Sequence, residues 1–213
     1  MTPTDKIGNC TLYHADCMEV MKQFKDNEFD LAIVDPPYRE NNQPTKQMRN
    51  KMNGKMQSFG KVPNKIYFDE LFRISKNQII WGGNNFLSLL ESTNCMLFWY
   101  KHNPFENYSD GEFAWTSFDR VAKCFDYPYY GNINSEIERF HPTQKPIKLY
   151  EWLLLNYAKQ GDKILDTHFG SLSIGIACDN LGFDLTAIEL DDDYYKAACE
   201  RLINHRKQLK FEF

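Results

Sequence analysis

Lys163-Ile-Leu-Asp-Thr-His-Phe-Gly-Ser-Leu-Ser173, continued through Leu181-Gly182 to Leu185-Thr-Ala-Ile-Glu189, is the stretch whose reading decides the fold. Lys163 to Asp166 reads as a short buried strand, and a Gly/Ser turn follows it. A helix from Ser173 to Leu181 is closed by Gly182, the residue type best suited to a helix C-terminus. Leu185 to Glu189 is the next strand. A strand, a helix and a second strand in this order make a βαβ unit with parallel strands. Beyond it, Tyr195, Ala198, Cys199, Leu202 and Ile203 form an i, i+3, i+4, i+7, i+8 stripe on a final helix. Asp191 to Asp193 suit that helix's positive N-terminal end.

The same alternation runs upstream. Phe29-Asp-Leu-Ala-Ile-Val34 is a nearly all-apolar strand of the kind found inside a parallel sheet. Thr11 to Ala15 reads as a strand and Cys17 to about Phe24 as a helix. Tyr67 to Ile74 has helical spacing. Gln78 to Trp81 and Cys95 to Trp99 read as strands separated by a Gly82-Gly83 turn and a short helix. Phe113 to Phe118 and Val121 to Phe125 are expected to be an antiparallel pair. Pro146 opens a helix that runs to Lys159 and stops at Gly161. The expected architecture is α/β: a three-layer, doubly wound, mostly parallel sheet with an antiparallel hairpin, forming one domain over residues 1–213.

Composition narrows the function classes. Hydrophobic residues are 42% and charged residues 25% of the 213, which excludes a disordered or collagen-like chain. The aliphatic run Leu31 to Val34 falls far short of the roughly 20 apolar residues of a membrane span. The first residues lack the charged-then-apolar pattern of a signal peptide, so a cytoplasmic location without membrane is expected. The six cysteines form no CxxC pair and read as reduced thiols, and the five histidines are too scattered to suggest a metal cluster.

Charge is uneven. The chain carries −4 overall, yet residues 39–65 hold Arg39, Lys46, Arg49, Lys51, Lys55, Lys61 and Lys65 against Glu40 alone, a local charge of +6. With many Asn, Gln, Gly and Met and no apolar period, this segment reads as a long basic loop inserted in a compact fold. A solvated surface insertion is the alternative reading.

Two places break local rules at strand ends. Asp35-Pro36-Pro37-Tyr38 follows the buried strand directly. The prolines fix the backbone and remove two N–H donors. Asp35 is thereby held at the carboxyl edge of the sheet, where such folds bind ligands. A carboxylate beside an exposed carbonyl accepts two hydrogen bonds, which matches an exocyclic NH2 group, and Tyr38 offers a face for the ring carrying it. Simple punctuation after a strand is the competing explanation. The second place is Asp166 to Ser173, where small residues expose backbone N–H groups at a helix N-terminus. Glu189 ends the next strand, where an acid for ribose hydroxyls belongs in nucleotide-binding units. Together they point to a nucleoside-containing cofactor.

Asp35-Pro-Pro-Tyr38, His141-Pro-Thr-Gln-Lys-Pro146 and the Asp166–Ser173 turn, in that order, resemble the S-adenosylmethionine-dependent amino-methyltransferases of DNA. These are the N6-adenine and N4-cytosine enzymes, and the motif order is that of their β group, a circular rearrangement of the methyltransferase fold. The resemblance covers roughly residues 10 to 205. It implies that Asp35 and the Pro36 carbonyl hold the target amino group, with Pro37 in the same rigid segment and Tyr38 stacked on the flipped base. It implies that Asp16, in Ala15-Asp16-Cys17, contacts the cofactor adenine and that Cys17 adds a backbone contact. Thr143 and Lys145 would approach the methionine carboxylate with Gly170 and Ser171, and Glu189 would take the ribose. Asp166, His168 and Ser173 complete the cofactor turn. The chain departs from the family in having His168 for an aromatic and Leu172 for a second glycine. Leu172 is expected to require a backbone without positive φ.

The implied chemistry is direct attack of an exocyclic nitrogen on a sulfonium methyl, with no metal and no covalent enzyme intermediate. A 5-methylcytosine mechanism is disfavoured because no cysteine follows a proline. A duplex base must be extruded to reach Asp35. Arg39, Lys46, Arg49, Lys51, Lys55 and Lys61 are then expected to grip DNA phosphates. Aspartate in the first motif position favours adenine over cytosine. RNA methylation and a catalytically inactive DNA-binding relative are the alternatives. Residues 39–65 and a minimal region at 103–140 would have to read the target, which suggests a short site, a homodimer or a partner protein. No nuclease motif stands out, which suits a stand-alone modification enzyme of the restriction-modification kind.

Overall fold

The computed structural model describes residues 1–38, 62–130, 133–134, 141 and 143–208. Its strands are β1 (Asp5–Ile7), β2 (Cys10–His14), β3 (Phe29–Val34), β4 (Ser75–Trp81), β5 (Leu97–Tyr100), β6 (Gly111–Thr116), β7 (Lys123–Asp126), β8 (Lys163–Asp166) and β9 (Asp184–Glu189). Its helices are α1 (Cys17–Met21), α2 (Lys65–Ile74), α3 (Ile147–Tyr157), α4 (Ser173–Leu181) and α5 (Asp192–Gln208), with a 3-10 turn at Gly83–Asn85. Among the described residues all nine strands join one sheet, in the order β1-β2-β9-β8-β3-β4-β6-β5-β7. From β2 to β4 every neighbouring pair is parallel. The α/β expectation holds.

The period of two along the strands sorts side chains to two cores. Leu31 and Ile33 of β3 join Leu149 and Leu153 of α3, Ile174 and Ala177 of α4, and Ala198 and Leu202 of α5 on one face. Ala32 and Val34 join Val20 and Met21 of α1 and Phe68, Leu71 and Ile74 of α2 on the other. Helices thus cover both faces, giving three layers.

Several expectations need correction. Lys123 to Asp126 does not pair with β6. It runs parallel to β5, while β6 lies between β4 and β5 and is antiparallel to both. The antiparallel pairs among the described residues are therefore β1–β2, β4–β6 and β5–β6. Lys65 is not loop but the first residue of α2, where Asn64 caps the helix and Lys65 Nζ meets Asp69 at 2.6 Å. Ile203, placed in the buried stripe of α5, is 40% exposed. Leu172 adopts φ +55°, ψ 31°, the left-handed region the sequence reading denied it. The reason is packing: its side chain is fully buried, close enough that a Cβ on Gly175 would lie 2.7 Å from its Cγ. That burial outweighs the local strain. The other basic-loop residues, 39 to 61, lie outside the described residues.

Candidate active site

In an α/β sheet of this kind the carboxyl ends of neighbouring parallel strands form the ligand crevice. Four adjacent strands, β2, β9, β8 and β3, end at one cavity of about 830 Å³. Its wall takes Ala15 to Met18 after β2, Asp35 to Tyr38 after β3, Thr167 to Ser171 after β8 and Glu189 to Tyr194 after β9. His141, Thr143, Gln144 and Lys145 close it from the segment before α3, and Val62 to Asn64 and Tyr67 from the start of α2.

The Asp35 side is ionic. Tyr38 donates its hydroxyl to Asp35 Oδ1, and the Lys145 ammonium pairs with Oδ2. The Lys145 side chain is 2% exposed and has a second acid within reach, Glu112 Oε2 at 3.2 Å, while Lys101 donates to Glu112 Oε1. Burial raises the Glu112 carboxyl, but Lys145 and Lys101 overcome it and hold the group down at about 2. Burial alone would lower Lys145, yet Asp35 and Glu112 raise it above the usual lysine range. The Tyr38 ring lies on Gly82, whose φ of +67° and lack of a Cβ allow that contact. Burial, then Asp35, pushes the Tyr38 phenol well up, so it stays protonated and donates.

The opposite side is built from backbone. Glu189 Oε2 accepts the Gly170 N–H at 2.9 Å, and Oε1 accepts those of Leu190 and Asp191, each at 2.9 Å. Glu189 thereby ties the turn after β8 to the turn after β9, using three of about four acceptor sites on its carboxylate. Burial raises its pKa. Gly170 sits at φ +50°, and a Cβ there would lie 3.0 Å from His141 Nε2. Arg201 of α5 pins the same turn, donating to the Ser171 carbonyl at 2.7 Å and Ser173 Oγ at 3.0 Å. Asp16 caps α1, accepting the Met18 N–H at 2.8 Å, and its side chain borders the cavity.

Of the residues expected from sequence, Asp35, Pro36, Pro37, Tyr38, Asp16, Cys17, Thr143, Lys145, His168, Gly170, Ser171 and Glu189 all line this cavity. Asp166 and Ser173 stand behind its wall, Asp166 accepting the His168 N–H at 3.0 Å and Ser173 meeting Ser171 Oγ at 3.2 Å. The Lys145 ammonium lies on the Asp35 side. His168 is both packed and at the wall: its Nδ1 meets Thr167 Oγ1 at 2.9 Å and its ring meets Tyr67 edge-on. Burial lowers its pKa to about 4, so it is neutral near pH 7. His141 is likewise pushed down to about 3 by burial and then Lys145. Arg39, Lys46, Arg49, Lys51, Lys55 and Lys61 lie outside the described residues.

Sequence reasoning missed Glu112 and three tyrosines that line the cavity, Tyr67, Tyr150 and Tyr194. Glu112 lies just before the strand read from sequence and carried no signal of its own. Tyr67 showed none beyond helical spacing, although its hydroxyl lies 2.6 Å from Thr167 Oγ1. Tyr194 lines the cavity, and its buried hydroxyl has no hydrogen-bond partner among the described residues. A polar ligand would satisfy it.

A carboxylate in a Pro-Pro frame shares this cavity with a Gly/Ser turn and the acid that ends the next strand, in keeping with the S-adenosylmethionine-dependent DNA amino-methyltransferase class that the family match shows. Residues 25–200 match the N6/N4 DNA methylase family, and the chain belongs to it. Type II methyltransferase M2.DpnII of Streptococcus pneumoniae is 24% identical, over 90% of this chain and 88% of that relative. The crystal structure of the M1.HpyAVI–SAM complex superposes with a TM-score of 0.60 at 23% identity, covering 90% of this chain and 99% of the other. PvuII DNA methyltransferase (cytosine-N4-specific) gives 0.64 at 12% identity, covering 97% and 94%. The likeness to these two structures is one of fold.

The polar groups present fit the cofactor. Asp16, Glu189, the Gly170–Ser171 backbone and the unsatisfied Tyr194 hydroxyl are groups that would hold its polar parts. Burial pushes the Cys17 thiol up to about 12, which removes it as a nucleophile.

Proposed function

We propose that this enzyme methylates the exocyclic N6 of an adenine flipped out of DNA. One observation carries the reading: Asp35 stands on the same cavity as the Asp16–Glu189–Gly170 half, at its proline-stiffened end. An exocyclic amino nitrogen is a poor nucleophile because its lone pair is delocalised into the ring. Accepting its N–H bonds at Asp35 and at the Pro36 carbonyl favours a pyramidal nitrogen that attacks in line. When bound, S-adenosylmethionine supplies a methyl group whose bond to sulfur breaks with the electron pair kept by sulfur. Asp35 takes the proton that the nitrogen sheds and passes it to water. Positioning and fixed charge supply most of the acceleration. The aspartate in the first motif position supports adenine over cytosine.

The basic segment supports a DNA-gripping role. Tyr38 and Val62, the described residues on either side of 39–61, both border the cavity. Within 103–140, β6 and β7 belong to the sheet, so target reading falls to the loops around them. Mass spectrometry of nucleosides from unmethylated DNA treated with enzyme and S-adenosylmethionine tests the proposal. N6-methyladenine is expected. N4-methylcytosine would transfer the mechanism to the other base, and transfer confined to an RNA substrate would overturn DNA as the target.

A further inference from the structure

The Asp35 carboxylate has to accept hydrogen bonds from an amine and then a proton, yet a buried ammonium is already paired with it. A lysine devoted wholly to Asp35 would neutralise it and weaken it in both tasks. The structure gives this lysine a second acid. Glu112 sits on β6, two residues before Ala114, the register partner of Trp81 at the end of β4. Asp35 follows Val34, whose neighbour on β4 is Ile80. Both acids therefore project beyond the carboxyl ends of adjacent strands, and Lys145 reaches between them over the Trp81 ring, 5.4 Å from its centroid. Lys101 binds the far side of Glu112 and makes the four groups neutral together.

We propose that Glu112 is a positioning residue for methyl transfer. By sharing the Lys145 ammonium it leaves the Asp35 carboxylate only partly paired, free to accept from the target nitrogen. The inference rests on the reading of Asp35 as the amino-group acceptor. The Glu112–Lys145 contact is an ion pair rather than an aligned hydrogen bond, because Oε2 has no hydrogen-bond partner among the described residues. What matters between them is charge, and Glu112→Gln removes that charge with little change in shape. Lys145 is then left to Asp35 alone. Lys101→Gln acts in the opposite sense: Glu112, freed of its outer partner, draws Lys145 away from Asp35.

Single-turnover methyl transfer measured against pH, with dissociation constants for S-adenosylhomocysteine and for DNA, tests the proposal. The expected result for Glu112→Gln is a rate lowered by about 10- to 100-fold, with both dissociation constants within twofold. Its acid limb moves to lower pH, and that of Lys101→Gln to higher pH. Glu112→Asp, which keeps the charge, should restore most of the rate. A Glu112→Gln rate within twofold of the parent, or a loss matched by equal loss of binding, would overturn the role. If Glu112→Gln does not fold, an unmoved limb in Lys101→Gln overturns it alone. A parent enzyme that transfers no methyl would instead refute the proposed function.

Discussion

Asp35 meets the incoming base with both carboxylate oxygens engaged, one by the Tyr38 hydroxyl and one by Lys145. The Tyr38 contact is neutral and local, so it is the one an amine can displace. Tyr38→Phe should therefore keep the stacking face, with a kcat within about tenfold of the parent. Tyr38→Ala should cost about 1–3 kcal/mol of base stacking; steady-state kinetics on a short duplex checks both. Behind the wall, Asp166 has its pKa raised from 3.8 to about 8, by burial first, with Asp35 and Glu189 adding and the His168 N–H and Lys145 opposing. The folded state thus holds a proton the unfolded state releases, so this group's contribution falls as pH rises through 8. His141 and His168 act oppositely: with folded values of about 3 and 4, they remove stability as pH drops below 6.5. Between pH 6.5 and 8 Asp166 dominates, and stability should decline by at most about 2 kcal/mol. Denaturant titrations should show that Asp166→Asn abolishes this decline. A parent protein equally stable at both pH values would contradict the assignment.

At the scale of the element, the turn before α4 sets strain against packing. A left-handed non-glycine residue costs about 1–2 kcal/mol, whereas emptying a buried leucine site costs about 2–5 kcal/mol. Leu172→Gly should therefore destabilise by about 1–3 kcal/mol despite relieving the strain. Leu172→Ala, which keeps the strain and loses the burial, should be worse; thermal melts of the three proteins give the order. The failed expectation at Leu172 has the same origin. Local propensity was visible in the sequence, but the pocket that overrides it is assembled from distant residues. β6 and β7 teach a similar lesson. Apolar pattern showed two strands, Phe113–Phe118 and Val121–Phe125, but pattern names no partner, and β7 crosses to β5. The βαβ unit of Lys163 to Glu189 was legible almost residue for residue because its turn chemistry, helix and strands are all local.

For the whole molecule, the cavity residues come from six separated stretches, and those in recognisable motifs were legible for that reason. Glu112 was not, since its role appears only when β6 is placed beside β4. Charge is divided on the same large scale: the +6 of residues 39–65 belongs to a chain of −4. Neutralising Lys51, Lys55 and Lys61 together should lower DNA affinity and make the log–log salt slope shallower by about 2 to 3. An unchanged slope in fluorescence-anisotropy titrations would deny this segment the DNA-gripping role. The proposed reaction depends on Asp35 holding an amine beside the methyl donor. Transfer of labelled methyl to unmethylated DNA by Asp35→Ala, alongside its affinity for S-adenosylmethionine, tests that dependence most directly. The expected result is cofactor affinity close to the parent's with transfer reduced by about 10²- to 10³-fold or more; transfer at the parent rate would contradict it.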